Sequence, residues 1–285
     1  MSSVLSGQGE SDAQKLVELR GRIDEIDAEV HRLLIERGSV IDTLIHVKGT
    51  SRPGAAFRPG READMMRRIV ARHEGVLPLT TVEHLWREII STFTRMQASF
   101  DVAIDTSVEP ERMRDLARFY FGFSVKLAAL PDAAAVVARV RETGDLGLVA
   151  RAAKGVWWRG LGRPNAPQVM ALLPHLGAAE RPADLPAFVI SPKLSDPTPP
   201  DIRILAVTAK GDLVAPKGAE ILVNTEENGR TELLVAVPAA YDVARFGMEA
   251  GGRIEGITEV GGTAAGIAVD GEASLLYQKP AQART

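Results

Sequence analysis

The 285-residue sequence contains no cysteine. That excludes disulfide staples, thiolate metal sites, iron–sulfur clusters and a cysteine nucleophile. It also lacks any apolar run of about 18 residues, so no membrane-spanning helix is expected. Met1 to Gln14 is small and polar, without the basic and apolar regions of a secretory signal, which points to a cytoplasmic protein. Charge of one sign is missing as well: Lys+Arg is 34 against Asp+Glu 37, a formal net charge of -3. A general nucleic-acid binder needs a basic excess, so nucleic acid is not the expected partner. The five histidines, His31, His46, His73, His84 and His175, show no metal-ligand spacing, and no metal site is expected. What is present is ordinary globular composition, 45% hydrophobic and 25% charged, enough for a core and for two domains.

The composition shifts near residue 100, and the boundary is placed at Asp101 to Arg112. Before it, Leu16, Leu19, Ile23, Ile26, Val30 and Leu33 step by 3, 4, 3, 4, 3. Val40, Leu44 and Val47 continue the series after one skipped position, Arg37. This seam predicts one long helix over Ser11 to Lys48, more than about 50 Å at 1.5 Å per residue. Such a helix exceeds the needs of a compact monomeric domain and fits packing along a partner chain. Gly49 to Gly60 reads as a loop. A second helix is expected over Arg61 to Glu74, with Met65, Met66, Ile69 and Val70 inward. Thr80-Thr81-Val82-Glu83 has the form of a capping box opening a third helix. Its inward stripe would be Val82, Leu85, Trp86, Ile89, Phe93, Met96 and Phe100.

The remainder reads as mixed α/β. Helices are expected at Ala133 to Arg141 and Pro167 to Leu176, and strands at Leu146 to Val149, Phe188 to Ile190 and Ile202 to Val207. Asn228-Gly229, between Ile221–Val223 and Leu233–Val237, predicts a type I′ hairpin. Short β runs alternate with glycines from Ile254 to Gln278. Trp157-Trp158 reads as an interface pair, with a ligand cleft as the alternative. The glycine pairs read as turns rather than phosphate cradles.

Arg37 stands where the seam asks for an apolar residue, and burying an unpaired guanidinium is costly. A structural ion pair or a snorkelling side chain would account for it. Lys48 lies 11 residues on, about three turns, so both long side chains can converge on one small ligand. Gln97, four residues after Phe93, adds an inward amide that needs a hydrogen-bond partner, either a ligand oxygen or the backbone. Arg20 is 17 residues from Arg37, roughly 25 Å along one helix. The two can serve one small molecule only if the long helices of two chains run antiparallel.

With those residues in view, ELRGRIDEIDAEVHRLLIERGSVIDTLIHVK, RPGREADMMRRI and LWREIISTFTRMQ resemble the all-helical chorismate mutases. The spacing of Arg20, Asp27, Arg37 and Lys48 matches that family without a gap, and the likeness covers about residues 13–100. The resemblance implies an isomerase that converts chorismate to prephenate by a Claisen rearrangement, in an intertwined homodimer. It implies that Arg20 of the partner chain and Arg37 hold substrate carboxylates. Lys48 would bind a carboxylate and the ether oxygen, Gln97 would donate to that oxygen, Glu62 would accept from the ring hydroxyl, and Arg61 would support the site. A pericyclic step needs no nucleophile, metal or cofactor; it needs donors fixed where charge develops and cations that hold a compact conformer. Arg58 and Phe93 depart from the family pattern, at positions that often carry an acid and a small hydroxyl residue.

Residues 112–285 more faintly resemble prephenate dehydratase domains, which are two-lobed α/β folds like periplasmic binding proteins. The blocks that carry the likeness are FDVAI, DLARFYFG, GDLGLVARAA and PAFVIS. The chemistry-bearing motifs are altered. Ala150-Arg151-Ala152 replaces Glu-Asn-Ser, Pro186-Ala187-Phe188 replaces Thr-Arg-Phe, and no Gly-Pro-x-Gly-Thr turn follows Ala103-Ile104. The expected protein is therefore an α+β multidomain chain: a three-helix mutase domain followed by a degenerate, non-catalytic α/β domain. Two alternatives are a helical dimerisation module carrying a ligand-binding regulatory domain, and an active bifunctional mutase–dehydratase.

Overall fold

The computed structural model of the chain describes residues 5–48, 57–194, 198–211, 213–251 and 253–280; for residues 5–10 and Lys48 it describes the backbone alone. Contacts divide the chain into two units, Met1–Gly49 and Thr50–Thr285. The first unit holds one helix, α1 (Leu5–Lys48, 44 residues), which begins six residues before the expected Ser11. Its seam is open to solvent: Leu16 is 53% exposed, Ile26 48% and Val40 64%. Along its sides, Arg22 pairs with Glu25 at 2.7 Å, and Arg32 pairs with Glu29 at 2.7 Å and Glu36 at 2.9 Å. Such exposed pairs one turn apart stabilise a helix by only a few tenths of a kcal/mol each, about 0.3. Burial of the seam is what a helix of this composition needs, and within its own unit it has none.

The second unit opens with α2 (Pro59–Arg72) and α3 (Leu79–Gln97). A β-α-β-α-β run follows: β1 (Val102–Asp105), α4 (Pro110–Phe121), β2 (Leu127–Leu130), α5 (Ala133–Thr143) and β3 (Leu146–Ala150). The Asp132 side chain caps α5 by accepting from the Ala135 amide at 2.8 Å, and Gly144 ends it with φ 77. After a 3-10 turn at Trp157–Gly160 come β4 (Gln168–Leu173), β5 (Leu176–Gly177), β6 (Ala187–Ser191) and β7 (Ile202–Lys210). The chain then forms β8 (Glu220–Glu227), β9 (Arg230–Pro238), α6 (Val243–Glu249), β10 (Arg253–Thr263), β11 (Gly266–Ala268) and β12 (Tyr277–Gln278). Helices α4 and α6 carried no separate expectation from the sequence.

Nine strands form one mixed sheet in the order β2-β1-β3-β6-β4-β10-β7-β9-β8, and β12-β11-β5 form a small parallel sheet. The first five strands of the large sheet meet the last four through one register pair, Gly261 with Val169. Asn228 (φ 54) and Gly229 (φ 70) turn β8 into β9 with positive φ at both centres, as a type I′ hairpin requires. Helices at Ala133 and strands at Leu146, Phe188 and Ile202 also form where the patterns placed them. The core runs along both faces of the sheet, and Trp157 and Trp158 are buried in it, Trp157 lying 5.4 Å from the Phe188 ring.

Pro167 to Leu176 is not the expected helix. Gln168, Met170, Ala171 and the leucines favour a helix locally, but Val169 pairs with Ile190 and Leu173 with Ala187, so sheet pairing overrides propensity. The capping box is not used either: α3 starts at Leu79 with Pro78 before it and no side-chain cap.

Gly261 carries the junction between the two halves of the sheet. Its φ is +150, and a Cβ there would lie 2.1 Å from the Val169 carbonyl oxygen. Gly261→Ala is therefore expected to destabilise the α/β unit by about 2 kcal/mol or more, measured by urea unfolding. Wild-type stability of that variant would show that the β4–β10 approach is not close.

Candidate functional site

Helix α3 meets the α/β body with its charged side. Glu83, Arg87, Ser91 and Thr94, spaced by 4, 4 and 3, are its buried residues, while Leu85 and Met96 are 52% and 54% exposed. The expected inward stripe is therefore only partly inward: Val82 and Trp86 pack with Met66 and Ile69 of α2, Phe100 is buried in the core, and the buried positions within the helix itself are polar or charged. Opposite charges make this possible. The Glu83 carboxylate, fully buried, accepts from Arg181 Nη2 at 3.0 Å and from the Tyr120 hydroxyl at 3.1 Å. Tyr120 in turn accepts from the His175 amide at 2.8 Å, and Arg181 also donates to the Leu176 carbonyl at 2.5 Å. Ser91 Oγ donates to the Phe121 carbonyl.

Arg87 continues the same face toward α2. Its Nη1 donates to Glu62 at 2.9 Å, and its guanidinium lies 5.1 Å from the centre of the Tyr120 ring. Burial pushes the Glu62 carboxyl above its usual pKa, and this outweighs the lowering by Arg87 and by the Arg58 amide. Glu62, Arg87, Tyr120 and His175 line one cavity of about 30 Å3, room for a single water. Arg87 Nε and His175 Nε2 are buried there without hydrogen-bond partners among the described residues. Burial, reinforced by Arg87, Arg67 and Arg181, pushes the His175 imidazole down to about 3, so it is neutral at physiological pH. Burial also raises the Tyr120 phenol, helped by Glu83, so it remains a donor.

The site residues expected from the sequence fall into two groups. Arg20, exposed, and Arg37, half-buried, stand on α1; Lys48 is its last residue, and its side chain lies outside the described residues. Arg61, exposed, and Glu62 stand on the first turn of α2. Gln97 is the last residue of α3, half-buried, and its amide donates to the Phe93 carbonyl at 3.1 Å. It does not line the cavity that Glu62 lines. Arg58 donates to the Phe57 carbonyl at 2.9 Å. The structure thus brings Glu62 together with Arg87, Tyr120 and His175, none of which was singled out from the sequence. The 4-4-3 spacing of Glu83, Arg87, Ser91 and Thr94 was the available signal: a second, polar stripe beside the apolar one.

The comparisons with known proteins fall on the helices. The family model for chorismate mutase type II matches residues 19–98. The N-terminal segment is a chorismate mutase type II domain. A bifunctional chorismate mutase/prephenate dehydratase of Neisseria gonorrhoeae is 39% identical over 88 residues, 31% of this chain and 24% of the relative. Proteins of the same description from Stutzerimonas stutzeri and Aquifex aeolicus are 33% identical over 97 residues and 30% over 115, covering 27% and 31% of their lengths. The chain thus spans under a third of the curated relatives it matches. No solved structure matches it. All six expected site residues, and Glu83 and Arg87, lie within the mutase domain.

In the α/β body, the two altered motifs come together. Ala150 of β3 pairs with Ala187 of β6, and the Arg151 amide donates to the Pro186 carbonyl at 2.8 Å. Both segments line one cavity of about 190 Å3.

Removing one member of the buried pair isolates its cost. Arg181→Met leaves the Glu83 carboxylate with Tyr120 alone and is expected to destabilise by about 3 kcal/mol. Glu83→Gln combined with Arg181→Met is expected to recover most of that loss in a urea-unfolding double-mutant cycle. Additive losses would show that the two side chains do not interact.

Proposed function

We propose that residues 13–100 are an isomerase domain that rearranges chorismate to prephenate, in aromatic amino acid biosynthesis, and that residues 112–285 are a non-catalytic α/β domain. The observation that carries this reading is the family match over residues 19–98, which encloses the whole polar set. Arg37 and Lys48, with Arg20 supplied by a second chain, are the cations for a dicarboxylate substrate. Gln97 and Lys48 are the donors for the ether oxygen, whose negative charge grows as the C–O bond stretches. Glu62 accepts from the ring hydroxyl, and Arg61 stands beside it. In this reading Gln97 releases the Phe93 carbonyl when substrate arrives, exchanging one hydrogen bond for another. No proton is transferred, and the protein's contribution is orientation and fixed charge.

A homodimer belongs to the same reading. The seam of α1 is exposed from Leu16 to Leu33 and again at Val40 and Val47, and Arg20 and Arg37 are 17 residues apart on one helix. Antiparallel pairing of two such helices covers the seam and sets Arg20 of one chain beside Arg37 of the other. We assign the protein to the cytoplasm; among the described residues no helix is long and apolar enough to cross a membrane. The names of the relatives favour a second reading, a bifunctional mutase–dehydratase. Ala150-Arg151-Ala152 and Pro186-Ala187-Phe188 speak against it, because neither segment offers a hydroxyl or carboxyl group for dehydration.

Incubation of the purified protein with chorismate tests both: prephenate alone is expected, phenylpyruvate would establish the second reading, and no turnover would refute the first. Arg37→Ala and Lys48→Ala should each lower kcat/KM by at least about 100-fold. Because burial raises the Glu62 pKa, and the carboxylate is a stronger acceptor for the hydroxyl than the protonated acid, activity should fall as pH drops through that raised value. Glu62→Gln should abolish this acid limb.

A further inference from the structure

The cavity formed where the two altered motifs meet has a chemistry of its own. Its volume is about 190 Å3, and every residue lining it belongs to the α/β body. Leu172, Leu173, Phe188, Leu222 and Leu276 give it apolar walls, and the Tyr277 ring closes one side. That ring is packed tightly: a Cβ on Gly266 would come within 2.7 Å of it, and one on Gly177 within 2.9 Å. The Tyr277 hydroxyl is committed, donating to the Pro174 carbonyl at 2.8 Å.

One charged residue lines the space, Arg151, and its charge is already answered. Nε donates to the Leu222 carbonyl at 2.9 Å and Nη2 to the Ile221 carbonyl at 3.5 Å, while Glu220 lies 3.6 Å from Nη2. The guanidinium braces β8 against the cavity, and the neighbouring carboxylate offsets its attraction for an anion. The lining supplies no other charged side chain.

We propose that this cavity is a binding site for a small uncharged aromatic or alicyclic molecule, of about toluene to indole size. Size and polarity both carry this. An apolar protein cavity of about 150 Å3 stays dry and takes up benzene, so one somewhat larger accommodates a substituted or fused ring. Ligand sites are apolar enclosures with few polar anchors, and here the one anchor with capacity left is the Arg151 guanidinium, which can donate to a neutral oxygen. A dicarboxylate would leave two desolvated charges facing leucines and a carboxylate, which disfavours the substrate assigned to the helical domain. The site makes the α/β domain a receptor for a ligand unlike that of the helices, and it does not depend on the mutase reading.

Titration of the full chain with toluene and indole, followed by amide chemical shifts, tests the proposal. Saturable binding of at least one of them with Kd below about 1 mM is expected, with shifts at Leu222, Leu276 and Tyr277. Benzoate should bind at least about tenfold more weakly than toluene. Leu276→Trp fills the space from a half-buried position and should abolish binding; if that variant does not fold, Ala264→Leu, another lining residue, decides instead. Arg151→Gln should leave toluene binding within about threefold. Failure of both ligands to saturate, tighter binding of benzoate, or binding unchanged in the filled variant would each overturn the proposal. Chorismate turnover is read separately, so loss of one conclusion leaves the other standing.

Discussion

Two buried ion pairs, Arg181 with Glu83 and Arg87 with Glu62, decide how the helices of the second unit meet the sheet. A charged helix face does not ordinarily turn toward a core, because an unpaired buried charge costs several kcal/mol, about 3 to 5 when a partner is removed. Here α3 turns Glu83 and Arg87 inward, and the body answers with Arg181 from the segment after β5 and Tyr120 from α4. The arrangement has directional bonds that a purely apolar contact would lack, and it fixes the rotation of α3 about its axis. Once that rotation is fixed, Leu85 and Met96 are left outward. Glu62 is held in the same network, so a residue with a proposed role in substrate binding is positioned by the α/β body.

The exposed seam of α1 is the second consequence of burial arithmetic. Leu16, Leu19, Ile23, Ile26, Val30 and Leu33 form a stripe that repeats every 3.5 residues, and each is about half exposed or more. At about 25 cal/mol per Å2, covering such a stripe is worth far more than the surface ion pairs along its sides. In the proposed reading, a second copy of the helix offers a matching stripe and places its Arg20 within reach of the substrate that Arg37 would hold. In that reading, stability and chemistry ask for the same partner.

The helices were legible because their signal is local. Periods of 3 and 4 in α1 and in α2 follow from side-chain spacing on one element, and the Asn228-Gly229 turn follows from two residues that accept positive φ. The strand at Gln168 to Leu173 was not legible, since its residues favour a helix and only pairing with β6 and β10 overrules them. Glu83 illustrates the same limit. Its place three residues after Thr80 suggested a cap, but Arg181, 98 positions away, claims the carboxylate. Of the candidate site, Arg20, Arg37, Lys48, Arg61, Glu62 and Gln97 were proposed from spacing and resemblance. Arg87, Tyr120 and His175 could not be, because their meeting depends on α4 and the segment between β4 and β5, which bring Tyr120 and His175 to α3.

The central claim is that two chains build each mutase site, and subunit mixing tests it most directly. Arg20→Ala and Arg37→Ala chains, each inactive alone, are unfolded together and refolded. In a mixed dimer with shared sites, one site carries both lesions and the other carries neither. Half the dimers are mixed, so the account predicts recovery to about a quarter of wild-type activity. Activity no higher than that of the parents, with subunit exchange verified by mass, would contradict the account and assign each site to a single chain.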